Sequence, residues 1–455
     1  MRRLFLLLAA LLPAGKGFAE MSIVIEPSSI RGSNGFFRVG HTARGQWWFI
    51  DPDERPFFFK GVCAVNRAGT QGGRRAVPGP YAGVVDRKYD YATSPDRFVA
   101  ATMARLRAWN FNAFGSWTTE EFFDRGMPYT EILDVDFFVP QIRSTTKGVR
   151  LPDVWDPECA AAMDRWAAKI CAPRRNSKWL VGYFTDNELS WGQSEREKGV
   201  DELEPTLTPE GRPSLLQQCI SLEKDQPARR AAWEFALQRH GNSLPELSKA
   251  WGLPVQSRET IIKLTKAGTA ITSRGYAADD REFLRQTARR YFRLTAEAIR
   301  RHDPHHLILG CRFGGPPGPV VLDECRPPYV DVISANNYRD NFHERVDIYH
   351  RAHKMPVLNG EFSWASPYFI RRDSQGKASV RTDSVEAMKE KGRESLERAF
   401  THPGLVGYTW YRWVHKEHDP VTYGLVDQTD TECTTNTGLL TEINRRAESI
   451  RQSVR

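Results

Sequence analysis

Leu180-Val181-Gly182-Tyr183-Phe184-Thr185-Asp186-Asn187-Glu188-Leu189-Ser190-Trp191 is an apolar and aromatic run that passes directly into a polar cluster ending on a carboxylate and an indole. The run reads as a strand, and the cluster as what the strand delivers at its carboxyl end. The same arrangement returns in Met355-Pro356-Val357-Leu358-Asn359-Gly360-Glu361-Phe362-Ser363-Trp364, again an apolar segment that closes on a glutamate and then a tryptophan. Working outward, short apolar or β-branched segments recur at Phe59 to Val65, Asn110 to Phe114, Tyr129 to Leu133, Leu307 to Cys311, Val330 to Ala335 and Leu405 to Trp410. With Leu180 to Phe184 and Pro356 to Leu358 they number eight. Helical periodicity fills the intervals, notably over Pro95 to Trp109, Pro157 to Ile170, Asp279 to Arg301 and Val385 to Phe400, the first opening with Ser94 as N-cap and Pro95 at the first helical position. Eight strand-then-helix units predict a (β/α)8 TIM barrel, whose site lies at the carboxyl ends of its strands.

Ahead of the barrel, Gly45 to Ile50 and Arg55 to Lys60 flank the turn Asp51-Pro52-Asp53-Glu54 and predict a short N-terminal β-hairpin. A long insertion after the fourth strand, about Glu195 to Asp280, interrupts the repeat. Its first part, to Asp225, is polar and loop-like, and its second is helical over Arg229 to His240 and Leu244 to Trp251. No low-complexity linker marks a second domain, so residues 20–455 are read as one catalytic domain. Residues 1–19 have the form of a signal peptide: Arg2 and Arg3, the apolar run Leu4 to Leu12, and small residues at Gly17-Phe18-Ala19. The expected location is therefore secreted or periplasmic, with no membrane association after the leader is removed.

The 455 residues are 40% hydrophobic and 26% charged, a composition that builds a large core and excludes bulk disorder. The formal charge of +8 falls by three, to +5, once Arg2, Arg3 and Lys16 leave with the leader. Spread over this length it reads as a solvated surface, and it also suits an anionic glycan. The seven cysteines are scattered without metal spacing, which leaves buried thiols or one or two disulfides. His302, His305 and His306 surround Pro304 between a helix and a strand and read as a cluster at the barrel's bottom face. No metal, cofactor or nucleic-acid motif is present, and no G-x-S-x-G elbow.

Two carboxylates at strand ends can cleave a glycosidic bond, one protonating the departing oxygen and the other acting at the anomeric carbon. Glu188 and Glu361 are the catalytic pair on this reading. An adjacent amide, Asn187, can hold the sugar 2-hydroxyl. The competing reading makes Asp186 or Asn187 a helix N-cap, with Glu188 favoured by the helix dipole.

The wording of these segments resembles clan A glycoside hydrolases, most closely the β-agarases of family 50 and more distantly the β-galactosidases of family 42. The similar stretches are Gly45 to Val65, Val181 to Gly192, Val357 to Ser363 and Tyr423 to Asp427, together with Trp233 to Trp251, which contains Arg239-His240-Gly241 and leads into Ala250-Trp251-Gly252. The resemblance implies Glu188 as acid/base, Glu361 as nucleophile and Asn187 as the 2-hydroxyl contact. It implies Tyr338 as a hydrogen-bond donor to the nucleophile and Trp410 as a sugar platform, and Asn337, beside Tyr338, is expected as a further substrate contact. Trp117, Trp191 and Trp364 are further platforms to expect, because sugar C–H faces stack on indole. His415 and His418, after the eighth strand, are hydroxyl contacts or solvated loop residues. Many clan members carry an arginine near the end of the second strand, where Phe114-Gly115-Ser116-Trp117 stands here; Arg67 or Arg312 is the alternative source of positive charge near Glu361. The function implied is retaining hydrolysis of a β-linked glycan of galactan or agarose type, the partner being that glycan. The alternatives are a β-galactosidase, a β-glucanase, a transglycosylase or a non-hydrolytic carbohydrate-binding barrel.

Overall fold

The computed structural model describes residues 23–144, 149–192, 212–223, 226–364, 369–375, 378–415 and 423–453. The leader expected over 1–19, the larger part of the loop expected over 195–225, and His418 lie outside the described residues.

Each of the eight sequence segments holds a strand: β1 (Phe59–Val62), β2 (Ala113–Phe114), β3 (Tyr129–Ile132), β4 (Leu180–Phe184), β5 (Leu307–Ile308), β6 (Ile333–Asn336), β7 (Val357–Phe362) and β8 (Leu405–Trp410). They pair in parallel in the order β5-β4-β3-β2-β1-β8-β7-β6. The ends of that series meet where Phe313, just past β5, bridges Ala335 of β6. There the Phe313 N–H donates to Ser334 O at 2.9 Å and the Asn336 N–H to Phe313 O at 2.7 Å. The sheet is a (β/α)8 barrel.

The strand side chains sort into two clusters. Phe59, Ala113, Val181, Leu307, Leu358 and Val406 fill the barrel interior. Val62, Phe114, Tyr129, Ile333, Leu405 and Tyr408 face the surrounding helices. Gly182 has no room for a side chain, since a Cβ there would lie 2.4 Å from Leu307 O on the next strand. The expected hairpin is part of a three-stranded antiparallel sheet, Arg38–His41, Trp47–Ile50 and Pro56–Phe57. Its Phe37, Val39, Trp47 and Phe49 join the interior cluster. Because the Trp47 N–H donates to Pro403 O at 2.8 Å, just ahead of β8, this sheet stops the amino-terminal end of the barrel.

Helices α1 (Pro80–Tyr89) and α2 (Pro95–Ala108) follow β1, and α3 (Pro157–Cys171) precedes β4. Ser94 stands at the N-cap of α2 without a side-chain bond, whereas Asp156 caps α3 by accepting from the Glu158 N–H. Between β2 and β3 the chain makes only the 3-10 turn Glu120–Phe122 in place of a helix, and Asp124 and Gly126, both at positive φ, turn it back. After β4 come α4 (Leu215–Ile220), α5 (Pro227–Arg239), α6 (Leu244–Trp251) and α7 (Arg258–Lys266), then the long α8 (Arg274–His302), which packs on α3. Helices α9 (Pro319–Glu324), α10 (Phe342–His350), α11 (Val385–Phe400) and α12 (Thr434–Gln452) complete the ring.

The motifs Arg239-His240 and Trp251 converge on a single buried carboxylate. Asp279 of α8 accepts from Arg239 Nε at 2.9 Å, from Trp251 Nε1 at 2.8 Å and pairs with His240 Nε2 at 2.7 Å. The seven cysteines are free thiols, all but Cys433 buried. Among the described residues no helix is long and apolar enough to cross a membrane.

Candidate active site

β4 and β7 carry Glu188 and Glu361 to the same mouth of the barrel. Glu361 lies within β7 and is buried; Glu188 follows β4 in a left-handed conformation, φ +54°. No helix starts at Glu188. The chain instead enters the short strand Ser190–Trp191, which pairs with Val149–Arg150, so the helix-cap reading of Asp186 and Asn187 falls. A non-glycine residue at positive φ costs about 1–3 kcal/mol and persists only where surrounding bonds hold it. Here the Glu188 N–H donates to Arg312 O at 3.0 Å, and Arg150 donates to the Asn187 and Glu188 carbonyls.

Arg312 organises the site. It follows β5, is fully buried, and itself sits at φ +49°. Its Nη2 donates to Glu361 Oε1 at 2.8 Å and to Gly360 O at 2.9 Å, and its Nη1 to Asn187 Oδ1 at 2.8 Å. Its guanidinium lies 4.4 Å from the centroid of Trp117. Gly360 is required for this approach, since a Cβ would stand 2.9 Å from Arg312 Nε and 2.7 Å from Asn336 Oδ1. Asn336, at the end of β6, then joins the two halves: its Nδ2 donates to Asn187 Oδ1 at 3.0 Å and to Glu188 Oε1 at 2.9 Å. A continuous chain of hydrogen bonds therefore links Glu188 to Glu361 through Asn336, Asn187 and Arg312. With Asn187 Oδ1 taken by two donors, its amide NH2 is turned to the other side.

The second oxygen of Glu361 accepts from the Tyr338 hydroxyl. Burial raises the Glu361 pKa first and most; Arg312 opposes it, the Glu188 charge adds to it, and the bonds from Tyr338 and Arg312 work against it. The net effect pushes this carboxyl up to about 7. Burial, reinforced by the Glu361 charge, holds the Tyr338 phenol well above its ordinary range, so it remains a donor.

The positive charge near Glu361 thus comes from Arg312. Arg67 is turned away and pairs with Asp86, its Nε 2.5 Å from Oδ1. Asn337 donates its backbone N–H to Glu361 O at 3.0 Å, and its side-chain Oδ1 accepts from the Arg339 N–H. The tryptophans are closed in. Trp410 is 0% exposed, donates Nε1 to Tyr423 O at 2.7 Å and meets Trp364 edge-on at 4.5 Å. Trp191 is packed among Tyr291, Phe292 and Phe313. Trp117, buried beneath Arg312, also contacts the edge of Tyr411. His415 is buried against Tyr423. His306 pairs with Asp303 at 2.6 Å and His302 with Asp164 at 2.9 Å, close to the amino-terminal plug, where Phe36 stacks on His305.

Two further residues of the site, Asn336 and Tyr411, are not among those the sequence predicts. Asn336 precedes the expected Asn337 and Tyr338, and its place at the end of β6 is where a site residue should stand. Tyr411, one residue past Trp410, is partly exposed and lies between Tyr338 at 6.3 Å and Tyr423 at 6.4 Å. The signal for it was the continuation of the aromatic run beyond β8.

Searched against protein-family models, the chain matches none. It is similar to β-agarase A of Vibrio sp. (strain JT0107), with 27% identity over 371 residues, covering 77% of this chain and 36% of that protein. The chain thus spans about a third of the length of this curated relative. Among solved structures it superposes on an exo-β-agarase with a TM-score of 0.71 at 19% identity, covering 93% of this chain and 66% of that one. A β-galactosidase from Bacillus circulans sp. alkalophilus gives 0.54 at 11% identity, over 88% of this chain and 57% of that one. The fold is one shared with agarases and β-galactosidases.

Proposed function

We propose that this chain is a β-glycosidase that hydrolyses an agarose-type β-galactan with retention of configuration. The observation that carries the reading is the pair Glu188 and Glu361, on β4 and β7, tied to one another through Arg312, Asn187 and Asn336. The relatives named as agarases supply the substrate class.

In this mechanism Glu361 attacks the anomeric carbon while Glu188 protonates the departing glycosidic oxygen. Arg312 and Tyr338 each hold one oxygen of Glu361, fixing its direction and stabilising it again as the leaving carboxylate when water, deprotonated by Glu188, releases the sugar. The Asn187 amide, oriented by Arg312 and Asn336, is the donor for the sugar 2-hydroxyl. Tyr411 offers the accessible aromatic face for the ring in place of the enclosed Trp410.

The test is hydrolysis of agars, carrageenans, other β-galactans and β-glucans by the wild type, Glu188→Ala and Glu361→Ala, with product anomers followed by NMR. Cleavage of agarose or its oligosaccharides with retention, abolished in both variants, is the expected result. Inversion would overturn the double displacement, and a β-glucan as the preferred substrate would overturn the galactan assignment. Equal glycan binding by all three proteins without cleavage would leave a carbohydrate-binding barrel.

A further inference from the structure

The loop after β3 and the helices inserted after β4 line a cavity of about 470 Å³. No residue of the Glu188–Glu361 network lines it. Its wall contains Arg229 of α5, Arg143 of the β3 loop and Lys266 of α7, with Ser221, Gln218 and Thr265 between them. Glu223 and Glu259 also line it, both exposed to solvent.

Arg229 is the unusual member. It is 6% exposed, its Nε is buried without a partner, and among the described residues no carboxylate or carbonyl receives a bond from its guanidinium. A second arginine approaches it: burial, and after it the charge of Arg229, hold Arg258 below its ordinary pKa, with only Glu259 opposing. Arg258 Nε is likewise buried and unpaired. An unpaired Nε is shared by Arg312 and Arg451, but those guanidiniums bond through their other nitrogens, Arg312 to Glu361 and Arg451 to three carbonyls. Arginine does not escape the cost of burial by losing its proton, so a buried guanidinium aimed into a cavity, with further cations on the wall, is satisfied by an anion from outside.

We infer that this cavity is an oxyanion-binding site, in which Arg229, supported by Arg143 and Lys266, receives a sulfate-type group. The group is either a sulfate ester on a substituted glycan or a free inorganic anion. The volume accommodates a sugar ring as well as its substituent. The glycan form rests on the glycosidase reading and has a structural route to it. The β3 loop carrying Arg143 at the cavity also carries Arg150, which holds the Asn187 and Glu188 carbonyls, and its two arms are joined by the Ile142 N–H to Leu151 O bond of 2.9 Å.

The test is equilibrium titration of the full chain with sodium sulfate, with a sulfated galactan oligosaccharide and with its desulfated counterpart, at constant ionic strength, read by calorimetry and independent of turnover. Wild type, Arg229→Gln and the rim variant Lys266→Gln are compared. The expected result is that sulfate or the sulfated sugar binds the wild type about tenfold to a hundredfold more tightly than it binds Arg229→Gln. A smaller loss is expected for Lys266→Gln, with the desulfated sugar unaffected by either change. Preference for the sulfated sugar over the salt identifies a glycan subsite, and the reverse identifies a free-anion site. Arg229→Gln should melt no lower than the wild type in chloride and should lose the increment in Tm that low millimolar sulfate gives the wild type. Equal binding of sulfate and sulfated sugar by the wild type and both variants, or no binding by the wild type, overturns the inference. Because catalysis is not read, failure of the glycosidase proposal leaves this result interpretable.

Discussion

Glu361 combines two demands that conflict. As the nucleophile of the proposed mechanism it must be anionic, yet it is buried, and burial with the nearby Glu188 charge lifts its carboxyl to about 7 against the pull of Arg312. The consequence has a definite sign. Below that pH the carboxyl is protonated and cannot act as nucleophile, so kcat/KM in the free enzyme should rise with pH through a limb near 7. Arg312→Gln keeps an amide donor but removes the cation that lowers this pKa. The limb should then move to higher pH, and kcat should fall by roughly a hundredfold. A pH profile of kcat/KM for both proteins checks this. An unmoved limb would mean that Arg312 acts only as packing, since a merely structural arginine would lower activity without shifting the titration.

At the scale of elements, the strands were legible and their cross-connections were not. A barrel strand is buried on both faces, so it is written as a continuous apolar run, and all eight runs stood out between helical stretches. The 3-10 turn between β2 and β3 left no such mark, because the interval from Phe114 to Tyr129 contains enough apolar residues to resemble a short helix. Both glutamates are legible because each follows an apolar run, Glu361 near the end of its strand and Glu188 just past the end of its own. The bonds that orient them were invisible: Asn336 to Asn187 spans 149 positions of sequence and Arg312 to Asn187 spans 125. Nothing local in the chain indicated which arginine would serve. Its position at the end of β8 marks Trp410 as a platform, but it shares a face with Tyr408, whose hydroxyl bonds Asn444 of α12, and that face is turned to the helices. The inserted helices also have a definite anchor. Asp279→Ala would leave Arg239, His240 and Trp251 without their common acceptor and should lower stability by about 2–3 kcal/mol, with Arg239 contributing least because it is half exposed. Urea unfolding measures the loss, and limited proteolysis should find the new cleavage sites in α5 and α6.

Across the whole molecule, the amino-terminal sheet and the carboxyl-terminal helix secure the end of the barrel opposite the site. Arg451, in the last turn of α12, is fully buried and holds Phe400 O and His402 O at 3.1 Å and Trp47 O at 2.8 Å, while its guanidinium lies 4.8 Å from the ring centroids of both Trp48 and Phe58. One side chain thereby joins α12, the turn before β8 and the plug of the barrel. Arg451→Met retains much of the volume and removes every one of these bonds, leaving three buried carbonyls without this donor at about 1 kcal/mol or more each. The variant should unfold about 3 kcal/mol more easily in urea. Its kcat per folded molecule should match the wild type, because the Arg312 network rests on β4, β5, β6 and β7 at the other mouth. A loss of kcat equal to the loss of stability would show instead that the plug and the site form one mechanical unit, with strain at the closed end transmitted along the strands to Glu361.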